Sequence, residues 1–115
     1  MKKRRYVIAA VVAVAGFSAL FAVLPSQGAG FRVRMEGNQY RPDVIRIAEG
    51  GAITFANEDD VTHTATCQGR GCPKDSGDIH PGQFKTITFP RAGSYTMFCV
   101  YHGQAGMTAA VTVGG

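Results

Sequence analysis

Cysteine and histidine are scarce in this chain of 115 residues, with three of each. No cysteine precedes Cys67, which excludes a lipid anchor on a cysteine at a processing site near the N-terminus. An excess of one charge is also missing once the first residues are set aside. The formal net charge of +4 comes from Lys2, Lys3, Arg4 and Arg5. From residue 29 onward, eight basic residues (Arg32, Arg34, Arg41, Arg46, Arg70, Lys74, Lys85, Arg91) meet eight acidic ones (Glu36, Asp43, Glu49, Glu58, Asp59, Asp60, Asp75, Asp78). A neutral domain has no electrostatic footprint for nucleic acid, so the basic sequence pI is no evidence for such a partner, and none is expected. Helical periodicity is lacking too: the segments are short, β-branched and punctuated by fifteen glycines and five prolines. There is no internal repeat and no low-complexity tail.

The start of the chain reads as a targeting segment, not as part of the fold. Behind the basic residues 2–5 an uncharged apolar run extends from Val7 to Leu24, followed by Pro25 and the small residues Ser26 to Gly30. A basic n-region, an apolar core and small residues beyond it make an export signal. At 18 residues the run exceeds the roughly 7–15 of a signal core and reaches the minimum of a membrane span. Residues 1–28 are therefore either an export signal or an N-terminal anchor inserted through residues 7–24. Both place residues 29–115 on the periplasmic or extracellular side. That remainder, about 87 residues, makes one domain with a small core, read as a monomer.

Three cysteines in an exported domain leave one over. Cys67-Gln68-Gly69-Arg70-Gly71-Cys72 has two glycines to let the chain turn, and an oxidising compartment favours a Cys67–Cys72 disulfide. Closing so short a loop contributes about 2 kcal/mol on the chain-entropy model. Cys99 is left unpaired, a liability outside the cytoplasm unless a metal holds it.

From Phe31 the apolar residues follow period two. Phe31, Val33 and Met35 alternate with Arg32, Arg34 and Glu36, the pattern of a half-buried strand. Further strands are expected over Val44–Ile47, Ala52–Ala56, Val61–Thr66, Phe84–Phe89, Ser94–Cys99 and Thr108–Val113, with glycine-, proline- or Asx-rich turns between them. Seven or eight short strands at this spacing predict an all-β fold, an antiparallel Greek-key β-sandwich.

Cys99-Val100-Tyr101-His102-Gly103-Gln104-Ala105-Gly106-Met107 gathers a thiolate donor, an imidazole and a thioether in nine residues. This soft set suits copper better than magnesium, calcium or structural zinc. The spacing C-x2-H-x4-M, with His63 upstream, resembles the ligand pattern of the cupredoxins, the small blue copper proteins. The resemblance spans nearly the whole domain: Tyr40-x-Pro42, Ile45-x-Ile47-x-x-Gly50, Ile53-Thr54-Phe55-x-Asn57-x-Asp59 before His63-Thr64, Asp75-Ser76-Gly77, Pro81-Gly82-Gln83, and Gly93-Ser94-Tyr95-Thr96. It is nearest to the plastocyanin, pseudoazurin and halocyanin branch. Several of these pieces are generic turns, and the four ligand positions carry most of the specificity.

The resemblance implies one type 1 copper ion, with His63, Cys99 and His102 as equatorial ligands and Met107 as the weak axial one. Taken singly, a strand histidine is more often structural, a methionine heading a strand more often core, and a lone cysteine simply buried. The joint spacing within a sandwich pattern decides for copper. A binuclear centre needs two cysteines in the ligand loop, and multicopper oxidase chemistry needs His-x-His pairs; neither occurs. Cys67 lies roughly 13 Å beyond His63 along an extended strand, and His80 sits in a Pro/Gly loop as an exposed residue.

The expected function is one-electron transfer between Cu(I) and Cu(II), as a carrier and not an enzyme. Redox partner proteins would dock transiently at the His102 face, around Gly103, Ala105 and Gly106. The alternative is an extracytoplasmic copper storage or delivery protein, with an open site and extra Met or His nearby. Two departures from the family stand out. Val100-Tyr101 replaces the usual Ser/Thr-Pro between cysteine and histidine, and Thr64 replaces the Asn that often follows the first histidine. Thr64 still supplies a backbone amide toward Cys99, but the Asn side-chain bonds that brace the two ligand loops are lost or remade.

Overall fold

The computed structural model describes residues 30–114. The segment read as signal or anchor, residues 1–28, lies outside the described residues. Ten strands follow in order: β1 (Phe31–Met35), β2 (Tyr40–Arg41), β3 (Val44–Ile47), β4 (Ala52–Asn57), β5 (His63–Thr64), β6 (Thr66–Gln68), β7 (Asp78–Ile79), β8 (Phe84–Thr88), β9 (Gly93–Phe98) and β10 (Thr108–Val113). A single 3-10 turn over Gly103–Ala105 is the only helical element among the described residues. No helix among them is long and apolar enough to cross a membrane.

Alternation decides which face of each strand is buried. Val33 and Met35 of β1, Ile45 and Ile47 of β3, Tyr95 and Met97 of β9, and Val111 and Val113 of β10 all point into one core, while their neighbours face out. Two four-stranded sheets close over that core, in the orders β3-β10-β9-β6 and β2-β1-β4-β8. The sandwich is therefore as expected, but its sheets are mixed and not purely antiparallel. β1 runs parallel to β4, and β3 runs parallel to β10. Alternation records burial, not the direction of the neighbour. After β2 the chain crosses to the other sheet as β3 and returns as β4, arriving beside β1 in the same direction.

The strand expected over Val61–Thr66 is also two pieces on two sheets. β5 pairs with β7 in a small separate ladder, whereas β6 joins the edge of the first sheet beside β9. His63, Thr64 and Ala65 are buried in succession, which breaks the alternation. At Ala65 the chain changes sheet, and its backbone N–H is taken by Ser76 Oγ at 2.8 Å. The Cys67–Cys72 disulfide is formed and ties the loop after β6 back to that edge strand. Cys99 is the free cysteine of the described residues, and it is buried.

Candidate metal centre

Cys99 leaves β9 and Met107 leads into β10, so the loop between them must reverse direction. Its backbone closes on itself. Gly103 N–H and His102 N–H donate to Cys99 O at 2.7 and 3.2 Å, Cys99 N–H donates to Met107 O at 3.2 Å, and Met107 N–H donates to His102 O at 3.2 Å. Gly106 takes a left-handed φ of 100°, which ends the 3-10 turn and which a side chain would resist. The result is a tight hairpin carrying Cys99, His102 and Met107 within one reversal.

His63 reaches the same place from β5. The ligand atoms of His63, Cys99 and His102 lie within 4.8 Å of one another. Cys99 Sγ stands 3.7 Å from His63 Nδ1 and 3.5 Å from His102 Nδ1, and the two imidazoles meet edge to face at 4.9 Å. Three of the four expected ligands are thus brought together. Met107 is fully buried and fixed by its two backbone bonds to the same loop. His63 and Cys99 are buried as well, and His102 alone is partly open to solvent. His80 stays outside the cluster, exposed, with Nδ1 at 3.0 Å from Thr62 Oγ1.

The two sulfur–nitrogen separations match those of donors bound to one metal ion. Bonds of about 2.0 Å to nitrogen and about 2.3 Å to sulfur set the two atoms roughly 3.5 Å apart at a tetrahedral angle and roughly 3.7 Å apart at a trigonal one. The observed separations are those values. One thiolate and two imidazoles are an N/S donor set that suits copper.

Thr64 is the hinge of the bracing. Its N–H points to Cys99 Sγ at 3.4 Å, its Oγ1 accepts from Val100 N–H at 3.0 Å, and its carbonyl accepts from the buried Tyr40 hydroxyl at 2.6 Å. Directly across the β5–β7 ladder from Thr64 stands Asp78, whose Oδ1 accepts from the Tyr101 hydroxyl at 2.7 Å. Val100, through its backbone N–H, and Tyr101, through its hydroxyl, therefore both bond to the Thr64–Asp78 pair. The bond to Asp78 raises the Tyr101 phenol above its ordinary pKa. Burial, aided by the negative charges of Cys99 and Asp75, raises that of Tyr40 further still.

One residue of this centre escaped the sequence reading as a site residue. Asp59 Oδ2 lies 2.8 Å from His63 Nε2, on the side of the ring away from Cys99. Burial works to raise the Asp59 pKa, but the amide of Asn38, the His63 ring and the amide of Gly37 outweigh it and hold the carboxyl below its ordinary value. The one hint in the sequence is Asn57-x-Asp59, an Asx turn in which Asn57 Oδ1 accepts from Asp59 N–H at 2.9 Å. Nothing in that hint aims the carboxylate at a histidine.

Comparison with known proteins agrees with the fold. The model of the cupredoxin-like domain family matches residues 6–113. A plastocyanin of Prochlorothrix hollandica is 28% identical over 118 residues, spanning 93% of this chain and 89% of the relative. A chloroplastic plastocyanin of Tetradesmus obliquus is 30% identical over 121 residues, spanning 96% of this chain and 81% of the relative. Among solved structures, a purple cupredoxin from Nitrosopumilus maritimus superposes with a TM-score of 0.63 at 21% identity, covering 73% of this chain and 99% of its own. That likeness bears on the fold alone. With the sandwich, the convergent His63, Cys99 and His102 donors and the family match all in hand, the chain belongs to the cupredoxin-like family, and its donor set fits that family's single copper ion.

Proposed function

We propose that the protein is a type 1 copper electron carrier, with His63, Cys99 and His102 as equatorial ligands and Met107 as the axial one. The observation that carries this reading is the convergence of three soft donors at metal-spanning distances, on a backbone already braced. When bound, copper supplies a one-electron couple between Cu(I) and Cu(II). The chain supplies the rest. The Cys99–Met107 hairpin and the bonds through Thr64 hold the donors in one arrangement, so little has to move when the charge of the site changes. Burial of His63, Cys99 and Met107 keeps water from the donors.

His102, partly open, is the contact through which a partner reaches the site. Around it lie Tyr101 and Val100, each about half exposed, with Ala105 and Gly106. So small a face suits brief docking at the low end of interface size. The disulfide, the basic start and the apolar run over residues 7–24 support a location outside the cytoplasm.

The carrier reading is favoured over storage or delivery because the thiolate and thioether are closed off. Met35 and Met97 lie in the core, where they cannot hand over an ion. Protein-film voltammetry together with copper transfer to a chelator separates the two. The carrier shows a reversible one-electron wave and slow release; a delivery protein shows rapid release and no reversible wave.

A further inference from the structure

The loop before β5 carries a carboxylate built into place. Asp59 Oδ1 accepts from Gly37 N–H at 2.7 Å, and Oδ2 accepts from Asn38 N–H at 2.9 Å while facing His63 Nε2 at 2.8 Å. Gly37 and Asn38 both have left-handed φ values, 68° and 57°. That turn, closed by Glu36 N–H on Gln39 O at 2.9 Å, offers two successive amides to one anion, the arrangement of an anion-binding nest. The loop below is fixed as firmly. Asn57 Nδ2 donates to Val61 O at 2.7 Å and Ile79 O at 2.8 Å, and Glu58 N–H donates to Met35 O at 2.9 Å. Among the ion pairs of the described residues, Asp59 pairs with His63 alone.

We propose that Asp59 is the positioning residue of the copper centre, fixing which nitrogen of His63 faces Cys99 and biasing the bound ion toward its oxidised state. This rests on the carrier reading of that centre. A carboxylate accepts hydrogen bonds and donates none, so Nε2 carries a proton, and Nδ1 is the nitrogen left to offer a lone pair to a metal. Carboxylate–histidine–metal relays of this kind also raise the basicity of the ligand. A fixed negative charge behind the imidazole favours the ion of higher charge, and so lowers the reduction potential. The charge is held by the Gly37–Asn38 turn, which ties a hairpin 22 residues upstream of Asp59 to the metal site.

The test compares Asp59→Asn with Asp60→Asn, its exposed neighbour. Each removes one negative charge, but only the first faces His63. Loss of such a partner typically costs 10–100-fold in affinity. Falling on Cu(II) relative to Cu(I), that raises the potential of Asp59→Asn by about 59–118 mV, at about 59 mV per tenfold for one electron. Asp60→Asn is expected to shift it by less than a third as much. Equal shifts, or none in Asp59→Asn, overturn the proposal. A second measurement does not depend on the variant folding. Nitrogen-15 NMR of the metal-free wild-type protein should show His63 protonated at Nε2, with a proton slow to exchange. A ring with no proton on Nε2 overturns the proposal whatever the voltammetry gives. A wild-type protein without a reversible couple would instead overturn the carrier reading, leaving the His63 tautomer to decide the role of Asp59.

Discussion

Thr64→Val tests the bracing of the ligand loop at its hinge. Valine keeps the shape, the β-branching and the backbone N–H to Cys99 Sγ, and removes only the hydroxyl. That hydroxyl makes two bonds, accepting from Val100 N–H at 3.0 Å and meeting Thr66 Oγ1 at 3.0 Å. Each is worth about 0.5–1.5 kcal/mol net, and more where the abandoned partner is cut off from water. Val100 is half exposed and Thr66 partly so, which keeps both near that range. A methyl now buried where the hydroxyl was returns up to about 0.8 kcal/mol. The expected net loss is about 1–2 kcal/mol, which for a domain of this size lowers Tm by roughly 4–16 °C. Circular dichroism of the metal-free protein reads it directly. Copper transfer to a chelator should also quicken, because Val100 and the following ligand His102 lose their tie to β5. Thr64→Ser, which keeps the hydroxyl, should release copper at the wild-type rate. A Tm drop below about 2 °C with unchanged release would refute the bracing role.

Other expectations concern the donors and the tyrosine behind them. Cys99→Ser should abolish the intense visible band of the copper-loaded protein while leaving its strand content intact by circular dichroism; a retained band would remove Cys99 from the site. Met107→Gln should keep copper but lower the potential, by about 59 mV for each tenfold gain in relative Cu(II) affinity, read by voltammetry. Tyr40, its pKa raised by burial in the folded protein, should show the corresponding pH dependence of stability. Its contribution is fully present below the unfolded value of about 10 and is lost progressively as pH rises above it. Phenolate absorbance followed against pH should find Tyr40 ionising only with unfolding.

Much of the centre could be read from local spacing because three of its four expected ligands share one hairpin. Cys99, His102 and Met107 are fixed relative to each other by a nine-residue reversal, and the leftover cysteine pointed to them. Strand positions were legible for the same local reason, since Val33, Ile45, Met97 and Val111 announce their buried faces by alternation. What was not legible depends on distant partners. The parallel pairings of β1 with β4 and β3 with β10 follow from how β3 crosses between sheets, which alternation does not encode. The break at Ala65 is set by Ser76, eleven residues on. Asp59 is aimed at His63 by amides of Gly37 and Asn38, a contact across more than twenty residues that no spacing rule anticipates. Thr64, Val100 and Tyr101, the positions that depart from the family pattern, meet at one strand pair in the fold, a convergence that their separation in sequence does not show.

In the proposed carrier one copper ion is held among His63, Cys99 and His102, chiefly by the Cys99 thiolate. X-ray absorption at the copper edge of the Cu(II)-loaded protein tests it most directly. One copper per chain is expected, with two nitrogens at about 2.0 Å and one sulfur at about 2.3 Å or shorter. A copper shell of nitrogen and oxygen alone, with no short sulfur, would contradict it.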